Sequence, residues 1–177
     1  MSSVSQMHLW PKDYEEDAPF SGRLTLEQIA ACSGHRVCLD TETDGLYWYK
    51  NHIIGVGIWC PDAEVFGYFP ALTDLTRARA IKTLRSWVPS TTVIGHNLKF
   101  DLHMLGIDPV PTRWKLIDTT VLLHLLDSRD SKKLEEAEKK YLGTSSKRSA
   151  VTAAPKGMVW TWPTAVVAEY CINYAHI

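Results

Sequence analysis

The chain has 177 residues, 45% of them apolar and 22% charged, with 19 Lys and Arg against 20 Asp and Glu. One ordinary globular domain with a real core fits that balance, whereas disorder, a collagen-like repeat and a coiled coil do not. The net charge of -1 supplies no global field to steer a polyanion, so any nucleic-acid binding has to come from a local patch.

The longest apolar runs, IIGVGIWC and VLLHLL, fall well short of the roughly 20 residues of a membrane span. Residues 1–20 are polar and acidic rather than basic then apolar, which speaks against a signal peptide and for a cytoplasmic setting. Cys32, Cys38, Cys60 and Cys171 form neither a CxxC pair nor a zinc spacing, so free thiols in a reducing compartment are expected.

In chain order, residues 1–23 carry Ser, Pro and the acidic run DYEED without periodicity and read as a loosely held arm, with the domain proper at 24–177. Thr25 and Gln28 form a capping box for a short helix that Gly34 stops. RVCLDTE is a strand that ends in carboxylates before the turn signal Asp44–Gly45. HIIGVGIWC and EVFGYFP are two further strands, joined as a hairpin at Pro61 and Asp62. From Thr73 to Val88 the apolar residues Leu75, Ala78, Ile81, Leu84 and Val88 recur at helical spacing. A short strand at Thr92–His96, a helix over Lys99–Leu105 ended by Gly106, and a strand at about 115–117 follow. Asp118 is a good N-cap for the apolar helix TTVLLHLL. Lys132–Leu142 reads as a charged helix stopped by Gly143, residues 143–162 as a mobile loop, and Pro163 as the opening of a last helix. This order of elements predicts an α/β fold with a mixed sheet of about five strands flanked by helices.

Three segments carry chemistry. In VCLDTETDGL, Asp40 and Glu42 stand two apart at a strand end, so both carboxylates leave on one face while Thr41 points to the other. Two like charges side by side are tolerated most readily with a cation between them. In VIGHNLKFDLHML, a buried strand delivers Asn97 and then Asp101 on the first turn of a helix. In AEYCINYAHI, Tyr170 and Tyr174 stand four apart on one helical face. Each segment alone has an ordinary explanation: a solvated strand end, a carboxylate at a helix N-terminus, an amphipathic core helix.

Together, and in this order, they resemble the DEDD superfamily of 3′-5′ exonucleases on the RNase H-like fold, in the branch that uses a tyrosine. The similarity runs from about Arg36 to Ile177 and is greatest to the proofreading domain of family A DNA polymerases, phage ones in particular. The DxE motif is matched by Asp40 and Glu42, and NxxxD by Asn97 and Asp101. The third motif, YxxxD, is matched by Tyr170, but Tyr174 stands where the family has aspartate. The other frame takes Tyr174 as the motif tyrosine and needs an aspartate one residue beyond Ile177.

The resemblance implies phosphodiester hydrolysis with two divalent cations, Mg2+ or Mn2+, held by Asp40, Glu42 and Asp101. Asp40 would bridge both ions, Glu42 would hold the one carrying the nucleophile, Asp101 would hold the second, and Tyr170 would orient the attacking water. Asn97, His96 and Lys99 would lie near the substrate backbone. The expected substrate is the 3′ end of single-stranded DNA, with RNA as an open alternative and a DNA polymerase domain or subunit as partner, in a bacterial or phage-infected cell. Because Tyr174 brings no charge, weak activity is expected.

The competing reading is an inactive exonuclease-fold module that binds nucleic acid or a polymerase. It rests on the basic residues Lys132, Lys133, Lys139, Lys140, Lys147, Arg148 and Lys156, with Trp160 and Trp162 as candidates to stack on bases. A solvated helix face and two hydrophobic plugs explain these residues equally simply.

Overall fold

The computed structural model describes residues 20–107, 114–143 and 159–175. Strands β1 (Arg36–Thr43), β2 (Ile53–Cys60) and β3 (Val65–Pro70) form the expected antiparallel meander. A 3-10 turn over Pro61–Ala63 closes the hairpin, with Glu64 in the left-handed region at φ 53°. Strands β4 (Thr92–Gly95) and β5 (Lys115–Asp118) add in parallel on the other side of β1, giving the order β3-β2-β1-β4-β5. The central strand is thus the one that carries DxE. This is the mixed five-stranded α/β sheet that the sequence predicts.

Six α-helices are described: α1 (Leu26–Ala31), α2 (Asp74–Arg85), α3 (Leu98–Met104), α4 (Thr119–Leu126), α5 (Leu134–Ala137) and α6 (Thr164–Ala175). The Thr25–Gln28 capping box of α1 is formed in both directions. On one face of the sheet Leu39, Val56, Ile58 and Val93 pack with Ile29, Leu84, Leu98 and Leu102 from α1, α2 and α3. The Trp87 indole donates to the Ile29 carbonyl at 2.9 Å, and that of Trp114 to the Trp87 carbonyl at 3.3 Å. On the other face Tyr68 packs with Val167, Ala168 and Cys171 of α6.

Several elements differ from expectation. The buried side of α2 is Ala80 and Leu84, continued by Trp87 past its end, whereas Leu75 and Val88 are exposed. The apolar pattern marks a wider stripe than the helix buries, and the Trp87 indole past its end adds to the covered side. The charged helix after Lys132 is four α-helical residues followed by a π-helical turn over Glu138–Leu142, ended by Gly143 at φ 67°. From the segment 1–23, residues 20–23 are described, and they run along β3: the Tyr68 amide donates to the Gly22 carbonyl at 2.8 Å. Residues 1–19 and most of the loop 143–162 lie outside the described residues, as do Lys147, Arg148 and Lys156.

Candidate active site

Strand alternation on β1 sends Val37 and Leu39 into the core and Asp40 and Glu42 to the opposite face, under α6. One oxygen from each of these carboxylates and Sγ of Cys171 lie within 4.8 Å of one another. The Cys171 thiol donates to Oδ2 of Asp40 at 3.4 Å.

What lets α6 come so near is the neighbouring strand. Across the β1–β2 ladder, Asp40 stands opposite Gly57 and Glu42 opposite Gly55. A methyl group on Gly57 would meet Cys171 Sγ at 2.5 Å, and one on Gly55 would meet the Tyr68 hydroxyl oxygen at 1.9 Å. Neither glycine stands out in the sequence. The signal that marks them is the two-residue spacing of GVG, equal to that of Asp40 and Glu42.

Asp101 arrives from α3, on the other layer, and is 3% exposed. Thr41 turns toward that layer and holds it: the Thr41 amide donates to Asp101 Oδ1 at 2.9 Å and the Thr41 hydroxyl to the same oxygen at 2.6 Å. The middle residue of DTE therefore fastens the third carboxylate while its neighbours present the first two.

Burial pushes Asp40 up to about 6, opposed by the Cys171 thiol and the Thr41 amide. Asp101 is pushed up to about 8 by burial first and then by the charge of Asp40, against the hydrogen bonds from Thr41. Cys171 is held protonated well above its ordinary value by burial and by the charges of Asp40 and Glu42. Among the described residues no Lys or Arg forms an ion pair with Asp40 or Asp101. A cluster of mostly oxygen donors, with Asp40 and Asp101 left without a Lys or Arg partner among the described residues, fits a hard divalent cation, and the thiol adds one softer donor.

The second motif is shaped by backbone geometry. Asn97 sits at the start of α3 in the left-handed region, φ 62° and ψ 42°, and its amide donates to Oδ1 of Asp118 at 3.0 Å. The same Asp118 oxygen accepts from the Thr120 amide at 2.9 Å, so one carboxylate ties the entrance of α3 to that of α4. Asparagine tolerates this conformation better than most residues. Asn97→Gly should therefore leave stability nearly unchanged, while Asn97→Val should cost about 1–2 kcal/mol, a fall in melting temperature of roughly 2–8 °C by scanning calorimetry. Equal melting temperatures for the two variants would remove the conformational explanation for this asparagine.

Asn97 and Lys99 are exposed. His96 Nδ1 is 2.9 Å from Thr119 Oγ1, and with Asp40 it lines a groove of about 390 Å³ whose walls include Ile94, Leu123, Leu126 and Tyr141. Tyr170 is half-buried on α6, its ring edge-on to Trp162 at 5.9 Å. The side chains of Trp160 and Tyr174 lie outside what is described.

The basic cluster is internally engaged: Lys133 pairs with Glu136, Lys139 with Glu135 and Lys140 with Asp130, and Lys132 donates to the Asp127 carbonyl. Trp162 is buried in the core under α6 and offers no face for a base, so of the two readings for it the plug holds. All four cysteines are free thiols, with Cys38 the half-buried one.

A family model described as 3′-5′ exonuclease matches residues 23–176. The chain belongs to the 3′-5′ exonuclease family. Within it, this exonuclease domain is 35% identical over 106 residues to DNA polymerase DpoZ of Acinetobacter phage SH-Ab 15497, a match covering 52% of this chain and 16% of that polymerase. In fold it is similar to a nuclease solved in its apo form, with a TM-score of 0.60 and 20% identity over 88% of this chain and 74% of the other. It is also similar to Brucella melitensis NrnC with bound Mg2+, with a TM-score of 0.53 and 21% identity over 79% and 66%. The architecture is thus the RNase H-like fold of the exonucleases. No described helix is long and apolar enough to cross a membrane.

Proposed function

We propose that this domain removes nucleotides from the 3′ end of single-stranded DNA in a metal-dependent hydrolysis of proofreading type, at a rate reduced by Tyr174. The observation that carries this reading is the gathering of Asp40 and Glu42 at one strand end beside Cys171, with buried Asp101 fastened to Thr41 between them and no Lys or Arg among the described residues paired with Asp40 or Asp101. The phage polymerase relative and the Mg2+ in NrnC support it.

Asp40 and Glu42 would hold divalent cations, and Asp101, fixed by Thr41, would complete the ligand set. Divalent cations, when bound, activate water and neutralise charge on the leaving oxygen. Tyr170 orients the attacking water. His96, Asn97 and Lys99 flank the path of the substrate backbone, and the groove beside Asp40 accepts the terminal nucleoside, its apolar walls suiting a base and sugar.

The reading is tested with one oligonucleotide labelled at either end. With Mn2+ or Mg2+ present, a 3′ label should be released first as mononucleotide while a 5′ label reports stepwise shortening, and chelation should stop both. Asp40→Asn should slow release on the order of 10³-fold, the worth of one charge at about 4 Å in a medium of effective dielectric 20. Release from the 5′ end, hydrolysis that survives chelation, or metal-free binding of single strands with no hydrolysis overturns it. The last outcome is the one expected of an inactive module.

A further inference from the structure

The loop joining β1 to β2 begins two residues after Glu42 and carries three consecutive exposed aromatic side chains. Tyr47, Trp48 and Tyr49 are 54%, 57% and 67% exposed. Rings of this size ordinarily go inside or find a partner, so three together in water mark a contact surface.

The loop is built, not slack. The Asp44 carboxylate accepts from the His52 amide at 2.7 Å, the Asp44 amide donates back to the His52 carbonyl at 3.0 Å, and Asn51 Oδ1 accepts from the Tyr47 amide at 3.0 Å. The rings also brace one another. Trp48 meets Tyr49 edge-on at 5.8 Å, and Tyr47 lies 5.7 Å from Tyr49. Trp48 stacks at 25° on His103, with centroids 5.4 Å apart. His103 sits on α3 two residues beyond Asp101 and on a different side of that helix, and Trp48 and His103 border a groove with Lys82 and Arg85 of α2. The Lys50 ammonium is 4.1 Å from the centre of the Tyr47 ring.

We propose that Tyr47, Trp48 and Tyr49 form a platform on which bases of single-stranded DNA stack as the strand approaches the carboxylates. This rests on the exonuclease reading of the neighbouring site. A chain of net charge -1, with an acidic cluster at its centre, cannot hold a polyanion by field alone. Stacking supplies attraction that is independent of charge, and it tolerates any sequence because every base has a π-face. Lys50 adds a cation beside the Tyr47 ring, where it can meet a backbone phosphate.

The test is fluorescence anisotropy of fluorescein-labelled dT12 with the full chain in chelator. The double variant Trp48→Ala with Tyr49→Ala should bind roughly tenfold to a hundredfold more weakly, while Trp48→Phe should stay within about threefold of the wild type. A strand of the same length made of abasic sites should bind wild type and double variant alike. Unchanged binding of dT12 by a double variant that melts like wild type overturns the platform, as does an equal loss on the abasic strand. Tighter binding of rU12 than dT12, with the same dependence on the rings, overturns the assignment to DNA. The two readings separate cleanly. Ring-dependent binding without 3′ release under Mn2+ sinks the exonuclease reading alone, and 3′ release by a double variant that binds normally sinks the platform alone.

Discussion

Replacing Tyr174 by aspartate should tighten Mn2+ binding by roughly three decades and raise the rate of 3′-end hydrolysis along with it. Two divalent cations bring four positive charges, whereas Asp40, Glu42 and Asp101 bring three negative ones. A fourth carboxylate at about 4 Å and an effective dielectric of 20 contributes on the order of 4 kcal/mol. A phenol with a pKa near 10 brings no such charge. Position 174 is one helical turn beyond Cys171, whose thiol already touches Asp40, so the two positions share a side of α6. Calorimetric titration with Mn2+ and 3′-label release read the two effects separately. A folded Tyr174→Asp variant that binds Mn2+ no better and stays slow would assign the fourth ligand to another position, as the frame reaching past Ile177 requires.

The metal-free domain should lose stability as pH rises from about 4 to about 8, the reverse of the usual carboxylate behaviour. Asp40 and Asp101 titrate near the ordinary Asp value when unfolded and at about 6 and about 8 when folded. Between those limits the native state holds more protons than the unfolded state, so the stability slope with pH is negative, and it levels off above pH 8. Asp101→Asn keeps an oxygen that accepts both Thr41 hydrogen bonds while removing the charge. It should stabilise the metal-free protein by about 1–4 kcal/mol at pH 8, worth about 2–4 °C of melting temperature per kcal/mol, and change little at pH 4. Mn2+ should raise the melting temperature of the wild type at pH 8 far more than that of Asp101→Asn. A wild-type melting temperature that climbs from pH 4 to pH 8 in chelator would show that these carboxyls are not held short of positive charge.

Much of the fold was legible because it is written locally. Thr25 and Gln28 announce a cap, Pro61 and Asp62 a hairpin, and the alternation in RVCLDTE a strand that exposes two carboxylates on one side. Asp40, Glu42 and Asp101 were legible as candidates only through the order of the three segments and their resemblance to the exonuclease motifs, since each alone has an ordinary explanation.

What sequence patterns leave out is set across the sheet. The role of Thr41 depends on α3 lying beside β1, and that of Gly55 and Gly57 on a ladder register that no single strand encodes. The burial of Trp162 and the exposure of Leu75 are decided by tertiary contacts, since helical periodicity marks an apolar stripe without saying how much of it is covered. Tyr47–Tyr49 did leave a signal: three aromatics between the turn formers Asp44–Gly45 and Asn51, where polar residues are the rule.

The closure of α6 over Asp40 joins positions 131 residues apart, and α6 is the last described element of the chain. During synthesis the five strands can assemble while their two carboxylates still face open water. Only when the ribosome has delivered residues near 171 can the roof be set in place, a late and entropically expensive docking. Any catalysis in that chamber consequently waits until α6 has emerged and docked.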